Sequence, residues 1–530
     1  MIIKSPYDDV ELAPVPLTAY VLDGATGRAA RPAIIDGTTG RVLSYGEVAT
    51  SVRRAAAGLA GRGMAKGDVL ALCSPNCPEF VIAYYAALAA GAVVTTVNPL
   101  APPGDIIRQL TDSGARWLVM PAAGFEIGGR ELAAAAGLRE TFVFGAASGA
   151  TPFATLTDQE QPARLPVVGP GDPAVLLYSS GTTGLPKGVL LSHRSLVASL
   201  CQTHAVHQVR EDDVLVTALP LYHVFALQVT LSLGLHAGAT VVTMPRFTLE
   251  DFLQLVQEYG VTRAEVVPPV VLALARHPAV SSYDVSSLRL ITSGAAPLGG
   301  ALATECASRL GCRVKQGYGM TEFGGATHLV PDTGAGDPGL IGPLLPGNQA
   351  RVVDCASGRE AGPGQPGELL IRSPGTMSGY LNNEQATADT LDSGGWLHTG
   401  DVVVADREGW FRVIDRVKEL IKYKGSQVAP ASLEAILMTH PAVADAAVIG
   451  DPDEEAGEIP TAFVVLRQSA TASELMSYVA SQVAPHEKIR RLEFVDGIPR
   501  SPSGKILRRL LAEREQAAGT GRSVLTGPAR

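Results

Sequence analysis

The sequence predicts an α/β protein with largely parallel sheets, followed by a small β subdomain and a compact α+β unit near its C-terminal end. Three observations carry this expectation. Between about 44 and 267, apolar β-rich runs alternate with helical stretches, the pattern of strands joined by crossover helices. From about 336 to 412 the chain turns dense in Pro and Gly between short strands. After Asp415-Arg416 a stretch of about a hundred residues carries helices and strands of its own, enough for a separate small core.

Taken in order, strands are expected at Val69–Cys73, Val93–Val97, 117–120 and 241–244, with helices at 45–59, 78–90 and Leu249–Tyr259. Two more units follow: 288–292 leads into the turn SGAAPLGG and a helix, and 313–316 leads into a Gly-rich turn. The β subdomain supplies strands at Gln349–Val353 and 367–372. The last unit supplies helices at 430–440 and 472–483, strands at 443–449 and 462–466, and a helix at 506–511. Residues 80–97 carry no charge for eighteen positions, near the lower bound for a membrane span. Gly91 interrupts them and the composition shifts from Ala/Tyr/Leu to Val/Thr, so a buried helix followed by a buried strand is the better reading.

At 530 residues, length alone suggests roughly three or four domain-sized units. A hydrophobic content of 46% and a net charge of −9 describe a soluble globular chain and argue against a general nucleic-acid or membrane-surface role. The six cysteines show no zinc spacing and read as reduced thiols of a cytoplasmic enzyme. The start MIIKSPYDDV lacks the basic and apolar regions of a signal peptide.

The most informative segment is YSSGTTGLPKG at 178–188. Ser179, Ser180, Gly181, Thr182, Thr183 and Gly184 leave backbone and hydroxyl donors free to surround phosphate oxygens, and Lys187 adds a compact positive charge. No GxxxxGK[ST] can be drawn, so this is not a Walker A loop. A flexible linker is the plain alternative. The apolar run 174–178 before it and the helix-start signal at Ser192 after it weigh against that.

Four further segments accompany the loop: QGYGMTE at 316–322, TGD at 399–401, DRVKELIKYKGSQVAP at 415–430 and PRSPSGKILRR at 499–509. In this order and at these separations the five resemble the adenylate-forming family of acyl-CoA synthetases, luciferases and adenylation domains, closest to the 4-coumarate:CoA ligase branch. The resemblance runs from about 43 to 511. It implies an N-terminal domain at 1–415, built of two parallel-type sheet subdomains plus the small β subdomain, a mobile C-terminal domain at 416–515, and a tail at 516–530.

The implied reaction has two halves. A carboxylate attacks the α-phosphorus of ATP, releasing pyrophosphate, and coenzyme A then attacks the acyl-adenylate, releasing AMP. The resemblance assigns Ser179–Lys187 to the β- and γ-phosphates, Gly294-Ala295-Ala296 with Gln316, Gly317 and Tyr318 to the adenine slot, and Thr321 to the α-phosphate. It assigns Glu322 to Mg²⁺, Asp401 to the ribose hydroxyls and Arg416 to the ribose-phosphate region. Lys505 would bridge the acid and the α-phosphate, where a fixed cation stabilises growing charge. For the second half, Asp415 would be the hinge, Lys422 and Gln427 would serve the adenylate, and Lys424, Gly425 and Arg246 would serve CoA. His223 would gate the way between the acyl pocket and the thiol channel. Taken singly, Asp401 reads as a turn residue, Arg416 as an ion-pair arginine, Lys422 as a solvated strand lysine and His223 as a packed core histidine.

Three positions depart from the branch. Ser426 replaces an aromatic and His486-Glu487 replaces an aromatic-lysine pair, changes expected to weaken attraction for anionic CoA. Neutral drift of lining residues is the plain reading of both. Phe225 replaces a tyrosine whose hydroxyl would meet a phenol, and Gly324-Gly325 are expected to remove bulk from an acyl pocket that also includes Ala226 and Gly294. These changes favour a larger or less polar acid than 4-coumarate, while Phe323 pulls the other way.

The expected protein is thus an ATP-dependent acid:CoA ligase, monomeric or homodimeric. The alternatives are an adenylate-forming enzyme that hands its product to a partner enzyme, and a luciferase-like relative. An amino-acid-activating domain is disfavoured, since 225–228 holds no acidic residue for an ammonium group, and a carrier-loading ligase would need an insertion between Gly400 and Asp415. A nucleotide sensor without turnover is disfavoured by the joint presence of Lys505, Glu322 and Asp401.

Overall fold

The structure is a computed structural model describing residues 2–158, 165–179, 186–333, 336–501 and 504–519. Four sheets organise it. The first has eight strands in the order Gly379–Tyr380, Lys187–Ser192, Pro173–Ser179, Val93–Val97, Val69–Cys73, Ala115–Pro121, Glu140–Phe144 and Thr151–Pro152. Pairing is parallel from Pro173–Ser179 onward and antiparallel at the edge that carries Lys187–Ser192. The second, also eight-stranded, runs Gly325–Leu329, Arg313–Met320, Leu290–Ser293, Arg263–Val266, Val214–Val216, Thr240–Thr243, Pro32–Asp36 and Val42–Ser44. It is parallel inside and antiparallel at both edges.

Local sequence accounts for the helices between these strands. Ser44 caps helix Tyr45–Gly61 by a reciprocal box: Glu47 N donates to Ser44 Oγ at 3.3 Å, and Ser44 N donates to Glu47 Oε2 at 2.7 Å. Such a cap is worth about 1 kcal/mol. The uncharged stretch 80–97 divides as its composition implied, into helix Pro78–Ala89 and strand Val93–Val97, with Gly91 in a left-handed turn at φ +79°. Phe80, Tyr84 and Tyr85 from that helix are fully buried with Tyr45 in the largest core. Among the described residues no helix is long and apolar enough to cross a membrane.

The Pro/Gly-dense region forms a five-stranded antiparallel sheet: Ile3–Lys4, Gln349–Val353, Pro366–Arg372, Leu397–Ala405 and Phe411–Arg416. The fourth sheet joins Ser426–Val428, Ile421–Tyr423, Gly457–Leu466 and Val443–Asp453, with Arg491–Phe494 added in parallel. Helices Pro430–Thr439 and Ala472–Ala480 cover it through a separate core that includes Leu433, Leu437, Leu475 and Val479.

Several boundaries differ from expectation for identifiable reasons. The phosphate-loop segment is followed by a strand, Lys187–Ser192, before the helix His193–Val206, so its ends are the two arms of a hairpin. Strand 443–449 extends to Asp453 because its hairpin partner keeps register to Gly457. The helix expected at 506 begins at Arg508, since Arg500 and Ile506 close an antiparallel bridge. It then runs to Gly519, past the point where composition ended the folded chain, while 520–530 lie outside the described residues.

All six cysteines are free. Burial pushes the thiols of Cys73 and Cys306 up to about 12 and those of Cys77 and Cys312 up to about 11, while Cys201 is half-buried. Cys355 is exposed, after strand Gln349–Val353.

Candidate active site

Side chains from three of the sheets and a loop of the C-terminal unit converge on one cluster. Tyr318, near the end of Arg313–Met320, donates through its hydroxyl to Asp401 Oδ2 at 2.6 Å. Arg416 faces Asp401 across the β ladder and places Nε 3.0 Å from Oδ1. The buried carboxylate is therefore gripped on both oxygens, each keeping a lone pair for a further donor. Burial, and then the charge of Asp401, raise the Tyr318 hydroxyl well above its ordinary range, so it remains a donor.

Strand Arg313–Met320 continues into the tight turn Thr321–Phe323, which holds Thr321 half-buried and Glu322 buried. Glu322 Oε1 accepts from Ser179 Oγ at 3.1 Å and from the Tyr380 hydroxyl at 2.9 Å. Lys187, paired with Ser179 across the hairpin, sets its ammonium 4.4 Å from the Tyr380 ring centroid. Both arms of the phosphate-loop hairpin are thus tied to the Glu322 corner. Ser180, Gly181, Thr182 and Thr183 lie outside the described residues.

The C-terminal unit contributes Lys505. Burial, and next the Arg416 cation, lower its pKa, while Asp401 and Glu322 pull it upward. Beside it, burial and the Lys505 cation push His223 down to about 4, leaving a neutral imidazole whose buried Nε2 has no hydrogen-bond partner among the described residues. Gly504, at φ +79°, lets this segment approach the large domain: a Cβ there would stand 3.2 Å from Val267 and 3.3 Å from Pro269. Arg276, ion-paired with Glu305, makes a second tie by donating to Met438 O at 3.4 Å.

The turn after Leu290–Ser293 holds Ala295 at φ +67°, a left-handed conformation that costs a non-glycine residue about 1 kcal/mol. Gln316 spends its amide on the protein: Oε1 accepts from Leu298 N at 3.0 Å, and Nε2 donates to Leu298 O at 3.0 Å and Pro338 O at 2.6 Å. That pins the 294–298 turn to the strand, where Gln316 pairs with Ser293 and its carbonyl accepts from Val330 N at 3.1 Å. Gly317 is dictated by packing, since a Cβ would fall 2.6 Å from Leu329.

The expected acyl residues surround the π-helical segment Phe225–Ser232. The Phe225 ring lies 3.0 Å from where a Cβ of Gly294 would stand, and Ala226 is fully buried in the core. Gly325 faces Ser199 and Gln228. Gly324 does not open that wall: a side chain there would meet Leu196 and Leu191, and its φ of +63° ends the preceding turn. The expectation of a second glycine widening the pocket is corrected accordingly.

Other expected residues are not brought to the cluster. Lys422, Lys424, Gly425 and Gln427 are exposed on the hairpin of Ile421–Tyr423 and Ser426–Val428. Lys424 (φ +47°) and Gly425 (φ +80°) form its two-residue turn, and Lys424 Nζ pairs with Glu455 Oε1 at 2.5 Å. Arg246 is exposed between Thr240–Thr243 and Leu249–Tyr259. Asp415 is buried, with Oδ1 accepting from Arg416 N and Oδ2 from Ala431 N, each at 2.8 Å. Burial raises its pKa.

Sequence reasoning missed Tyr380, which no motif marks. It reaches Glu322 because Gly379–Tyr380 adds to the edge of Lys187–Ser192.

Comparisons with known proteins identify the family. A family model described as AMP-binding enzyme matches residues 23–381, and one described as AMP-binding enzyme C-terminal domain matches 432–505. A 4-coumarate–CoA ligase of Pinus taeda is 42% identical over 523 residues, covering 96% of this chain and 97% of the relative. ATP-bound MatB from Rhodopseudomonas palustris superposes with a TM-score of 0.88 at 29% identity, over 96% of this chain and 100% of that one. A benzoate CoA ligase from Burkholderia xenovorans LB400 gives 0.85 at 28% identity, over 94% and 100%.

Proposed function

The chain belongs to the AMP-binding enzyme family, and from that premise we propose that it is an AMP-forming acid:CoA ligase acting on an aryl or bulky hydrophobic carboxylic acid. The observation that carries this reading is the joining of Lys505 to Asp401, Arg416 and Glu322, groups widely separated in sequence.

In the first half-reaction an acid oxygen attacks the α-phosphorus of ATP and the bond to pyrophosphate breaks. Lys505 holds acid and α-phosphate together and offsets the charge that grows as they react. Asp401 accepts from the ribose hydroxyls, Arg416 lies over the adjoining phosphate, and the turn at Ala295 with the backbone of Gln316 and Gly317 bounds the adenine. Glu322, a single carboxylate among hydroxyl donors, fits Mg²⁺, which binds through one or two carboxylates plus phosphate oxygens. When bound, the ion neutralises phosphate charge. Lys187 and Ser179 steady the outer phosphates, and Thr321 meets the α-phosphate.

In the second half-reaction the CoA sulfur attacks the acyl carbon and AMP leaves. Rotation at Asp415 withdraws Lys505 and presents the hairpin with Lys422, Lys424, Gly425 and Gln427, while Arg246 meets the CoA phosphates. His223, uncharged, gives the thiol an unobstructed approach.

The reading in which the adenylate passes to a partner enzyme rests on Ser426 and His486-Glu487. Glu487 has a local task, since its Oε2 accepts from Ala484 N at 2.9 Å and caps its own turn. One assay separates the two: a carboxylic-acid panel read for both pyrophosphate and CoA thioester. Both products with one acid support the ligase, pyrophosphate alone supports transfer to a partner, and no acid-dependent pyrophosphate refutes both.

A further inference from the structure

We propose that His328 is a positioning residue of the nucleotide site: its ring holds the Tyr318 side chain so that the hydroxyl meets Asp401, and through Asp401 it sets the affinity for the ribose hydroxyls. The inference rests on the ligase reading above, in which Asp401 accepts from those hydroxyls.

The bond from Tyr318 to Asp401 crosses a seam between sheets. Tyr318 belongs to the second sheet, whereas Asp401 and Arg416 belong to the five-stranded antiparallel one. His328 stands in the same seam. On strand Gly325–Leu329 it lies directly opposite Tyr318 in the ladder, and their rings meet edge to face, with centroids 5.6 Å apart and planes at 73°. Its other neighbour is Phe411, in the strand that ends at Arg416, at 4.5 Å and 68°. Both contacts have the edge-to-face arrangement that aromatic rings favour. His328 and Phe411 are fully buried and Tyr318 is half-buried, so the packing that fixes the tyrosine ring comes from its covered side. One imidazole spaces the ring that donates to Asp401 from the sheet that carries Asp401.

The imidazole is itself held in one orientation. Thr327 Oγ1 donates its single hydrogen to Tyr318 O at 3.4 Å, so toward His328 Nδ1, 3.1 Å away, it can only accept. The proton therefore sits on Nδ1, and Nε2, which has no partner among the described residues, is a bare acceptor. Burial keeps this ring neutral by pushing its pKa down to about 3. Tyr318 is thus held twice by adjacent residues, at its carbonyl by Thr327 and at its ring by His328. A 2.6 Å bond to a carboxylate needs its donor in one place. A tyrosine free to turn about its side-chain torsions would leave Asp401 Oδ2 without that donor and the ribose with a misplaced acceptor. The ring acts by shape, so phenylalanine should serve in its place and an aliphatic side chain should not.

The test is a cycle in which the nucleotide supplies one of the two changes. Calorimetry gives the Kd of AMP, of 2′,3′-dideoxy-AMP and of pyrophosphate for wild type, His328→Leu and His328→Phe. His328→Leu is expected to weaken AMP about tenfold, the worth of one charge-assisted hydrogen bond. Dideoxy-AMP and pyrophosphate, which bring no ribose hydroxyl, should change by no more than about twofold, as independent sites do. His328→Phe is expected to bind AMP within about twofold of wild type. A merely structural loss would weaken all three ligands alike. If His328→Leu fails to fold, His328→Met carries the same comparison. Equal weakening of AMP and dideoxy-AMP, no weakening of either, or no recovery with His328→Phe overturns this inference and leaves the ligase standing. Wild-type protein that binds neither nucleotide and releases no acid-dependent pyrophosphate overturns the ligase reading and this inference with it.

Discussion

Two lysine-bearing segments of the C-terminal unit stand in opposite environments. Lys505 is half-buried near Arg416, Asp401, Glu322 and His223, whereas Lys422 and Lys424 are exposed on the hairpin of Ile421–Tyr423 and Ser426–Val428. Both segments belong to one small folded unit, so on the reading proposed above turning one toward the nucleotide would turn the other away. The contrast teaches that a single small unit can present two lysine-bearing surfaces, one packed on the large domain and one in solvent. Gly504 against Val267 and Arg276 against Met438 O are two of the contacts that hold the packed surface in place.

The largest effect that would sharpen this contrast is on chemistry. Lys505→Ala is expected to lower acid-dependent pyrophosphate release by about 10²–10³ or more while ATP still binds. Thioester formation from supplied acyl-adenylate should survive. Wild-type pyrophosphate release from this variant would end the division of labour. Next, Lys422→Ala is expected to slow thioester formation from supplied adenylate roughly tenfold, the worth of one charge-assisted contact, with the pyrophosphate step less affected. Equal loss in both steps would break the contrast.

Acid gives a third test, with opposite signs in the two regions. Burial holds His193 and His223 at about 4 and His328 at about 3, below the ordinary 6.5. Between those values the unfolded chain binds protons that the folded one refuses, so stability there falls as pH drops from about 6.5 toward 4, by up to roughly tenfold per pH unit for each histidine. Glu434 differs. Burial pushes it up to about 7, although Arg508 lies 2.7 Å away, because that arginine is shared with Glu419 and lies near Asp415. Its folded form binds the proton more tightly than the unfolded form, so its contribution is present below about 4.5 and is lost as pH rises through about 7. Hydrogen exchange corrected for intrinsic rates should therefore show protection falling around 193–330, but not around 430–450, as pH goes from 7 to 5. The same trend in both segments would contradict the assigned burial. The smallest effect concerns Lys424→Ala: its exposed pairing with Glu455 should be lost with no measurable change in melting temperature.

Much of this was legible in the chain because the informative residues sit in short local signatures. Asp401 in TGD, Tyr318 and Glu322 in QGYGMTE, and Lys505 in SPSGK each sit in a motif contained in one short sequence window. The alternation of apolar runs likewise fixed the parallel cores, since buried parallel strands need a continuous apolar text. What escaped depends on pairing between distant segments. Tyr380 reaches Glu322 through an edge strand laid against residues 189–190, and Ile3–Lys4 completes a sheet with residues 349–350. Gly324 was misassigned because composition cannot tell a glycine needed for φ +63° from one needed for space. His328 gave no signal, being one letter in a buried strand whose ring neighbours Tyr318 and Phe411 lie on other strands.

The distribution of thiols has a practical consequence. Cys355 is the one exposed cysteine, and none follows it in the chain. With Cys77 and Cys201, the two half-buried thiols, replaced by serine, a maleimide dye should attach at a single place on the large domain, and adding Lys424→Cys supplies a second attachment point on the hairpin. Energy transfer between two such dyes would reveal, turnover by turnover in individual molecules, whether the small unit swings as proposed.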